Sequence, residues 1–253
     1  MTGSTAGIGY AIAAALAREG ATVVVNGRTA ERVNRALAAL KKEAPGSQVE
    51  GLAADLGSAS GTEEAARRFP DLDILINNLG IFEPKPFETI PDEDWFRFFE
   101  VNVMSGVRLS RSYLKGMRDR NWGRIIFISS ESGLQIPAEM IHYGMTKTAQ
   151  LAVARGLAES VAGTAITVNS VLPGPTVSEG VGTFVDQMAA AQKISREAVE
   201  QEFFRHVRPT SLLRRFETPA EIASVVAFVA SPLASAINGA SIRAEGGVVR
   251  SIG

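Results

Sequence analysis

Two hydrophobic periods alternate along this chain. Ala11–Arg18 is apolar and alanine-rich, which predicts a helix, and the β-branched run "ATVVVNGR" at 21–28 predicts a strand. From Ala30 to Ala44 the apolar Val33, Leu37 and Leu40 recur at spacings of three to four, the pattern of an amphipathic helix. "QVEGLAADL" at 48–56 reads as a strand, and "LDILINNLG" at 72–80 as a buried one ending at Gly80. A long helix is predicted from about Asp92 to Arg120, then the buried strand "GRIIFISS" at 123–130. A helix from about Tyr143 to Val161 leads into the strand "AITVNSVLPG" at 165–174.

Residues 175–216 break this rhythm with Pro175, Gly180, Gly182 and Pro209. Order returns in "TPAEIASVVAFVAS", where Thr218 is an N-cap, Pro219 the first helical residue and Glu221 the partner in a capping box. The last strand is "GASIRAEGG" at 239–247. Continuous apolar strands alternating with helices predict an α/β fold, a parallel sheet covered on both faces. No repeat or linker divides the chain, so 1–253 reads as one domain with 175–216 as an elaboration of it.

Composition narrows the function. Net charge is −1, so no general attraction to nucleic acid or an anionic membrane is expected. There is no cysteine, and His142 and His206 are the only histidines; no metal site is expected. No run reaches the roughly 18 apolar residues of a spanning helix, and no secretory signal pattern opens the chain. The expectation is a cytoplasmic protein.

The turn "TGSTAGIG" at 2–9 carries Gly3, Gly7 and Gly9 ahead of the first helix. Small residues there let backbone N–H groups approach a pyrophosphate, and the helix dipole adds positive potential. Alone this is a weak signal, because most glycine-rich turns are only turns. The following strand ends in Asn26-Gly27-Arg28, where an acid selecting NAD would be expected. A guanidinium there suits a 2′-phosphate, so NADP is expected over NAD, the alternative being that Arg28 is merely solvated.

Tyr143 and Lys147 stand four apart on a predicted helix and share one face. An ammonium beside a phenol favours phenolate, so Tyr143 is expected to exchange a proton with a substrate oxygen. Ser130, closing the strand "IIFISS", would stabilise negative charge on that oxygen. A Tyr–Lys pair alone arises by chance on many helices, and Ser130 could simply finish a strand. The conjunction is what carries weight.

"TGSTAGIG", "NNLG" at 77–80, Asn102, Ser130, "YGMTK" at 143–147 and Pro173-Gly174 occur in one order over essentially the whole chain. In this the sequence resembles the short-chain dehydrogenase/reductases, and in general pattern their β-ketoacyl carrier-protein reductase-like branch. The resemblance implies a single-domain, Rossmann-type, doubly wound parallel sheet and an NADP(H)-dependent oxidoreductase acting on a small-molecule carbonyl or alcohol. It implies a catalytic set of Asn102, Ser130, Tyr143 and Lys147, with Asn102 supporting a water that relays protons to Lys147. Cofactor contacts are implied for Gly3, Ser4, Thr5, Gly7, Ile8, Gly9, Asn26 and Arg28. Further contacts are implied for Asp55 and Leu56 at the adenine, Asn78 and Gly80 at the ribose side, Tyr143 and Lys147, and Pro173, Gly174 and Thr176 near the nicotinamide. Leu79 departs from the smaller alanine usual in the family. A substrate lid over 175–216 and assembly as a homotetramer or homodimer are also implied.

A family member's first strand should precede Thr2, so that strand is absent or truncated here. A natural chain starting upstream is expected, with a misassigned start, a rearranged edge or a partner's strand as alternatives. Glu131, directly after Ser130, is either a ligand for a hydroxyl-rich or cationic substrate or a member of a structural ion pair. Arg205, Arg208, Arg214 and Arg215 could receive an acidic substrate, but a solvated helix face is the simpler reading. A non-catalytic NADP(H)-binding regulator or scaffold on the same fold is the rival function.

Overall fold

The structure, a computed structural model, describes residues 1–252, apart from the side chains at 179, 180, 183, 184, 187 and 192. Helix α1 (Gly7–Arg18) leads to β1 (Val23–Gly27), α2 (Ala30–Glu43), β2 (Val49–Ala53), α3 (Ala59–Arg68) and β3 (Ile74–Asn77). Then come α4 (Asp92–Phe99), α5 (Ser105–Asp119), β4 (Gly123–Ile128), α6 (Ile141–Ser160) and β5 (Ile166–Pro173). The chain closes with α7 (Glu179–Gln192), α8 (Arg196–Glu202), α9 (Pro219–Ala230) and β6 (Ser241–Ala244). Thr29 and Ser58 cap α2 and α3 through their hydroxyls, and the Thr218–Glu221 capping box forms as the sequence predicts.

All strand pairs are parallel. β1 pairs with β2, and β3-β4-β5-β6 form a second ladder in that order. Successive strand residues face opposite sides, and the core divides accordingly. Ile126 and Ile128 of β4 pack with α1, α2 and α9, whereas Ile125 and Phe127 pack with α3, α5 and α6. This is the doubly wound arrangement.

Residues 1–4 lie between β1 and β3. The Met1 amino group donates to Val24 O (3.3 Å), Thr2 N to Ile76 O (3.1 Å) and Ser4 N to Asn26 O (2.9 Å). Residues 1–4 thus link the two ladders through backbone hydrogen bonds to both.

The single helix expected over 92–120 is interrupted. Residues 100–104 form a π-helical turn between α4 and α5, and that turn carries Asn102. One extra residue in the turn changes which way its side chains point, a device concentrated at functional sites. Residues 175–216 hold more regular structure than their composition suggests, namely α7, α8 and a π-helical turn at 203–207. Val185, Val199, Phe204 and Phe216 form their own small core, which is why this segment folds despite its prolines and glycines.

Candidate active site

The N-terminus of α1, the ends of β3, β4 and β5, the first turns of α6 and the segment after α8 surround one cavity of about 630 Å³. The sequence places glycine where the walls come closest. Gly7 sits at φ +57°, and a Cβ on Gly9 would lie 2.3 Å from the Gly3 carbonyl oxygen. No side chain caps α1, so its first N–H groups face the cavity region unpaired by any cap, next to Gly7, Ile8 and Gly9 of the lining. Gly80 opposes them, and a Cβ there would stand 3.5 Å from Lys147 Nζ. These features fit a dinucleotide, whose pyrophosphate needs free N–H donors and close backbone approach.

Several expected cofactor residues have partners within the protein. Ser4 is fully buried; its hydroxyl donates to Met1 O (3.0 Å) and accepts from Asn26 N (2.9 Å). The Asn26 amide is also spent on backbone, accepting from Gly3 N and donating to Leu52 O and Ala54 O. Asn78 lines the cavity while its Nδ2 donates to Thr2 O and Gly3 O, both at 3.0 Å. Thr5 packs against Gly27, where a Cβ would meet its methyl at 2.6 Å. Leu56 is buried in the core with α3 and α5, and the exposed Asp55 accepts from Gly57 N at 3.0 Å. Arg28 is exposed just beyond β1. Pro173, Gly174 and Thr176 line the cavity on its other side.

Ser130, Tyr143 and Lys147 share one wall of this cavity. α6 is stitched to the turn after β4 by Ser129 Oγ donating to Lys147 O (2.9 Å) and Thr148 Oγ1 donating to Gly133 O (2.8 Å). The ammonium of Lys147, however, donates to Ile128 O (2.9 Å) and Gln150 Oε1 (3.3 Å), and sits 5.6 Å from the centre of the Tyr143 ring. Burial lowers Lys147 to about 8, against the pull of Glu131. Burial likewise raises Tyr143 well above the ordinary phenol range, with Glu131 adding to the rise and Ser130 and Arg208 opposing it. The expectation that Lys147 pulls the phenol down is therefore corrected here: desolvation wins, and the ammonium is engaged by the β4 carbonyl of Ile128 and by Gln150.

Asn102 is held by neighbouring backbone and side chains. Its Oδ1 accepts from Ile81 N (2.7 Å), and its Nδ2 donates to Ile81 O and Thr146 Oγ1, both at 3.0 Å. Its carbonyl oxygen accepts Gln150 Nε2 at 2.6 Å. Gln150, which is buried, thus joins Asn102 to Lys147 directly. The sequence offered no signal for it, since a glutamine one turn beyond a lysine is ordinary on any helix.

Glu131 is the structural ion-pair member, not a free ligand. One carboxylate oxygen accepts from Arg208 Nε (2.9 Å); the other accepts from the Ser130 hydroxyl, Ser132 N (2.8 Å) and Ser132 Oγ (3.1 Å). Arg208 in turn donates to Glu139 (3.0 Å) and is buried, which corrects its reading as part of a solvated face. Arg205 and Arg215 remain outside, paired with Glu202 and Glu221. Nothing in spacing separates Arg208 from its neighbours; only the fold does.

Glu217 is a second buried acid that spacing did not reveal. It accepts from Gly174 N (3.1 Å) and lies beside Thr176, and burial raises it to about 7. His142 is fully buried against Phe98 and Trp95 and takes no part in the cavity. Among the described residues no cluster could hold a metal ion, and no helix is long and apolar enough to cross a membrane.

The family profile of short chain dehydrogenases matches residues 1–189, and the chain belongs to the short-chain dehydrogenase/reductase family of oxidoreductases. It is 50% identical over 252 residues to the uncharacterized oxidoreductase YvaG of Bacillus subtilis, covering 100% of this chain and 96% of that protein. It is 32% identical over 252 residues to a 3-oxoacyl acyl-carrier-protein reductase of Aquifex aeolicus, covering 98% and 95%. L-Sorbose reductase from Gluconobacter frateurii, solved with NADPH and L-sorbose, aligns with TM-score 0.93 at 30% identity over 100% of this chain and 96% of that one. The resemblance to the ketoacyl-reductase-like branch is thereby sustained.

Proposed function

We propose that this chain is an NADP(H)-dependent carbonyl reductase, with residues 175–216 as its substrate lid and Tyr143 as its proton donor. The observation that carries this reading is that Ser130, Tyr143 and Lys147 share one cavity with the uncapped N-terminus of α1. When bound, the nicotinamide would supply the hydride. The N–H groups of α1 would hold the pyrophosphate, Arg28 the 2′-phosphate, Lys147 the nicotinamide ribose, and Thr176 the carboxamide. The NADPH complex of the aligned L-sorbose reductase supports this nucleotide.

A phenol raised by burial stays protonated at neutral pH, so Tyr143 serves reduction by giving its proton to the substrate oxygen. At this end of the cavity Arg208 is spent on two carboxylates, Glu131 and Glu139, which leaves it no surplus positive charge for an anion, and Ile81, Phe82, Pro84 and Met140 supply apolar wall. That balance favours an uncharged carbonyl substrate over an anionic one. A ketose such as L-sorbose, bound by the aligned reductase, is uncharged too and belongs in the test panel. Assembly as a homodimer or homotetramer through the helices around Asn102 and Tyr143 is part of the proposal, and the exposed Phe96 and Phe99 lie on α4 of that side.

A fluorescence titration with NADPH and NADH, then a panel of neutral ketones, ketoses and keto acids, tests this reading. Micromolar NADPH binding and turnover lost in Tyr143→Phe are expected. Binding without turnover on any carbonyl would favour the non-catalytic regulator.

A further inference from the structure

Ser130 lines the cavity beside Tyr143, and its hydroxyl already has a partner within the protein. It donates to the Glu131 carboxylate, which is held at its other oxygen by Arg208. Arg208 follows the π-helical turn at 203–207 and therefore belongs to the segment over the cavity, 77 residues away in sequence. We propose that Glu131 and Arg208 are positioning residues for the reaction: Glu131 aims the Ser130 hydroxyl, and Arg208 balances the carboxylate's charge only while its segment is seated. This rests on Tyr143 being the proton donor.

The hydrogen-bond inventory explains how the device can work. Ser130 has one hydroxyl proton, and Glu131 now takes it. A substrate carbonyl must win that proton for Ser130 to stabilise charge on its oxygen. Glu131 can release it cheaply, because Ser132 N, Ser132 Oγ and Arg208 Nε still satisfy the carboxylate. Without Arg208, the carboxylate would be buried with an uncompensated charge and would hold the serine proton more tightly. It would also place net negative charge beside an oxygen that is becoming negative.

The charged groups around Tyr143 are few. Lys147 comes from its own helix, Glu131 from the turn after β4, and Arg208 from the segment after α8. Glu139, before α6, acts through Arg208 and is half solvated. Phe82 supplies an apolar edge from the loop after β3. Lys85, Glu83, Asp94 and Arg97 face His142 on the other side of α6. Glu131 and Arg208 push the phenol in opposite directions.

That opposition gives a test that a merely structural pair would not pass. The pH profile of alcohol oxidation by the full chain with NADP+ is measured for Glu131→Gln, Arg208→Gln and the double variant, with Tyr143→Phe as control. The midpoint of the alkaline rise should move down by roughly half to one pH unit in Glu131→Gln and up by a similar amount in Arg208→Gln. The double variant should return near the wild-type midpoint while KM stays raised, because the segment has lost its anchor. NADPH binding should stay within about two-fold throughout. Midpoints that do not move, or that move together, would overturn the proposal while leaving the Tyr143 reading intact. Activity surviving in Tyr143→Phe would sink both. Should Arg208→Gln fail to fold, Arg208→Lys keeps the charge without the fork; an unchanged midpoint with raised KM is then expected, and a shifted midpoint is the contrary result.

Discussion

Lys147 Nζ sits 5.6 Å from the centre of the Tyr143 ring and donates to the carbonyl of Ile128 at 2.9 Å. The spacing in "YGMTK" brings the two side chains together on α6, but burial, not the ammonium, dominates the phenol. On the proposed role of Tyr143 as proton donor, its protonated form is the one that reduces, and burial keeps that form through neutral pH. Ketone reduction should therefore show a flat profile from pH ~6 to ~8, and alcohol oxidation should still be rising beyond the ordinary phenol value of 10.0. An oxidation profile that levels off near neutrality would contradict the burial argument.

Gln150 bridges Asn102 O and Lys147 Nζ. Gln150→Leu would leave a buried carbonyl and an ammonium short of partners, at a cost of ~1–3 kcal/mol. The expected result is a lower thermal midpoint and roughly ten-fold lower kcat, with Gln150→Glu recovering the hold on Lys147 but not the bond to Asn102. Parallel melting curves and single-turnover rates would check this.

Glu217 accepts from Gly174 N just beyond β5, and burial raises its carboxyl from 4.5 to about 7. Between those values the native state binds more protons than the unfolded chain, so this group's contribution to stability falls as pH rises through 7. Glu217→Gln removes that loss. The variant should be more stable than wild type at pH ~8 by up to ~3 kcal/mol, and the gap should close towards pH ~4.5. Urea denaturation at the two pH values reads it directly; a gap that widens in acid would reverse the sign.

Gly9 leaves no room for a methyl group, since its Cβ would meet Gly3 O at 2.3 Å and Asn78 Nδ2 at 2.6 Å. Gly9→Ala should cost ~2 kcal/mol or more and abolish nucleotide binding, because the turn must move away from α1. Calorimetry and NADPH fluorescence on the same sample would separate the two effects.

Arg28 is exposed at the end of β1, where a 2′-phosphate is expected. Arg28→Ala should weaken NADPH binding roughly 10- to 100-fold and leave NADH within about two-fold. Equal losses for both nucleotides would show that it does not read the phosphate.

By itself the sequence determined what is local and periodic. The apolar runs of β3, β4 and β5, the capping box at Thr218, the glycines just before and at the start of α1 and the Tyr143–Lys147 spacing each follow from neighbours a few residues apart. Those features define the doubly wound sheet and the set facing the cavity. Tertiary structure decided the rest, because it concerns which distant groups meet out of water. It turned Lys147 inward to Ile128 and Gln150, spent Asn26 and Ser4 on backbone, and interrupted the expected long helix at Asn102. It also chose Arg208, one arginine among five in residues 175–216, to neutralise Glu131 beside Ser130. A buried charge must find its partner wherever the fold brings one, and no local pattern encodes that choice.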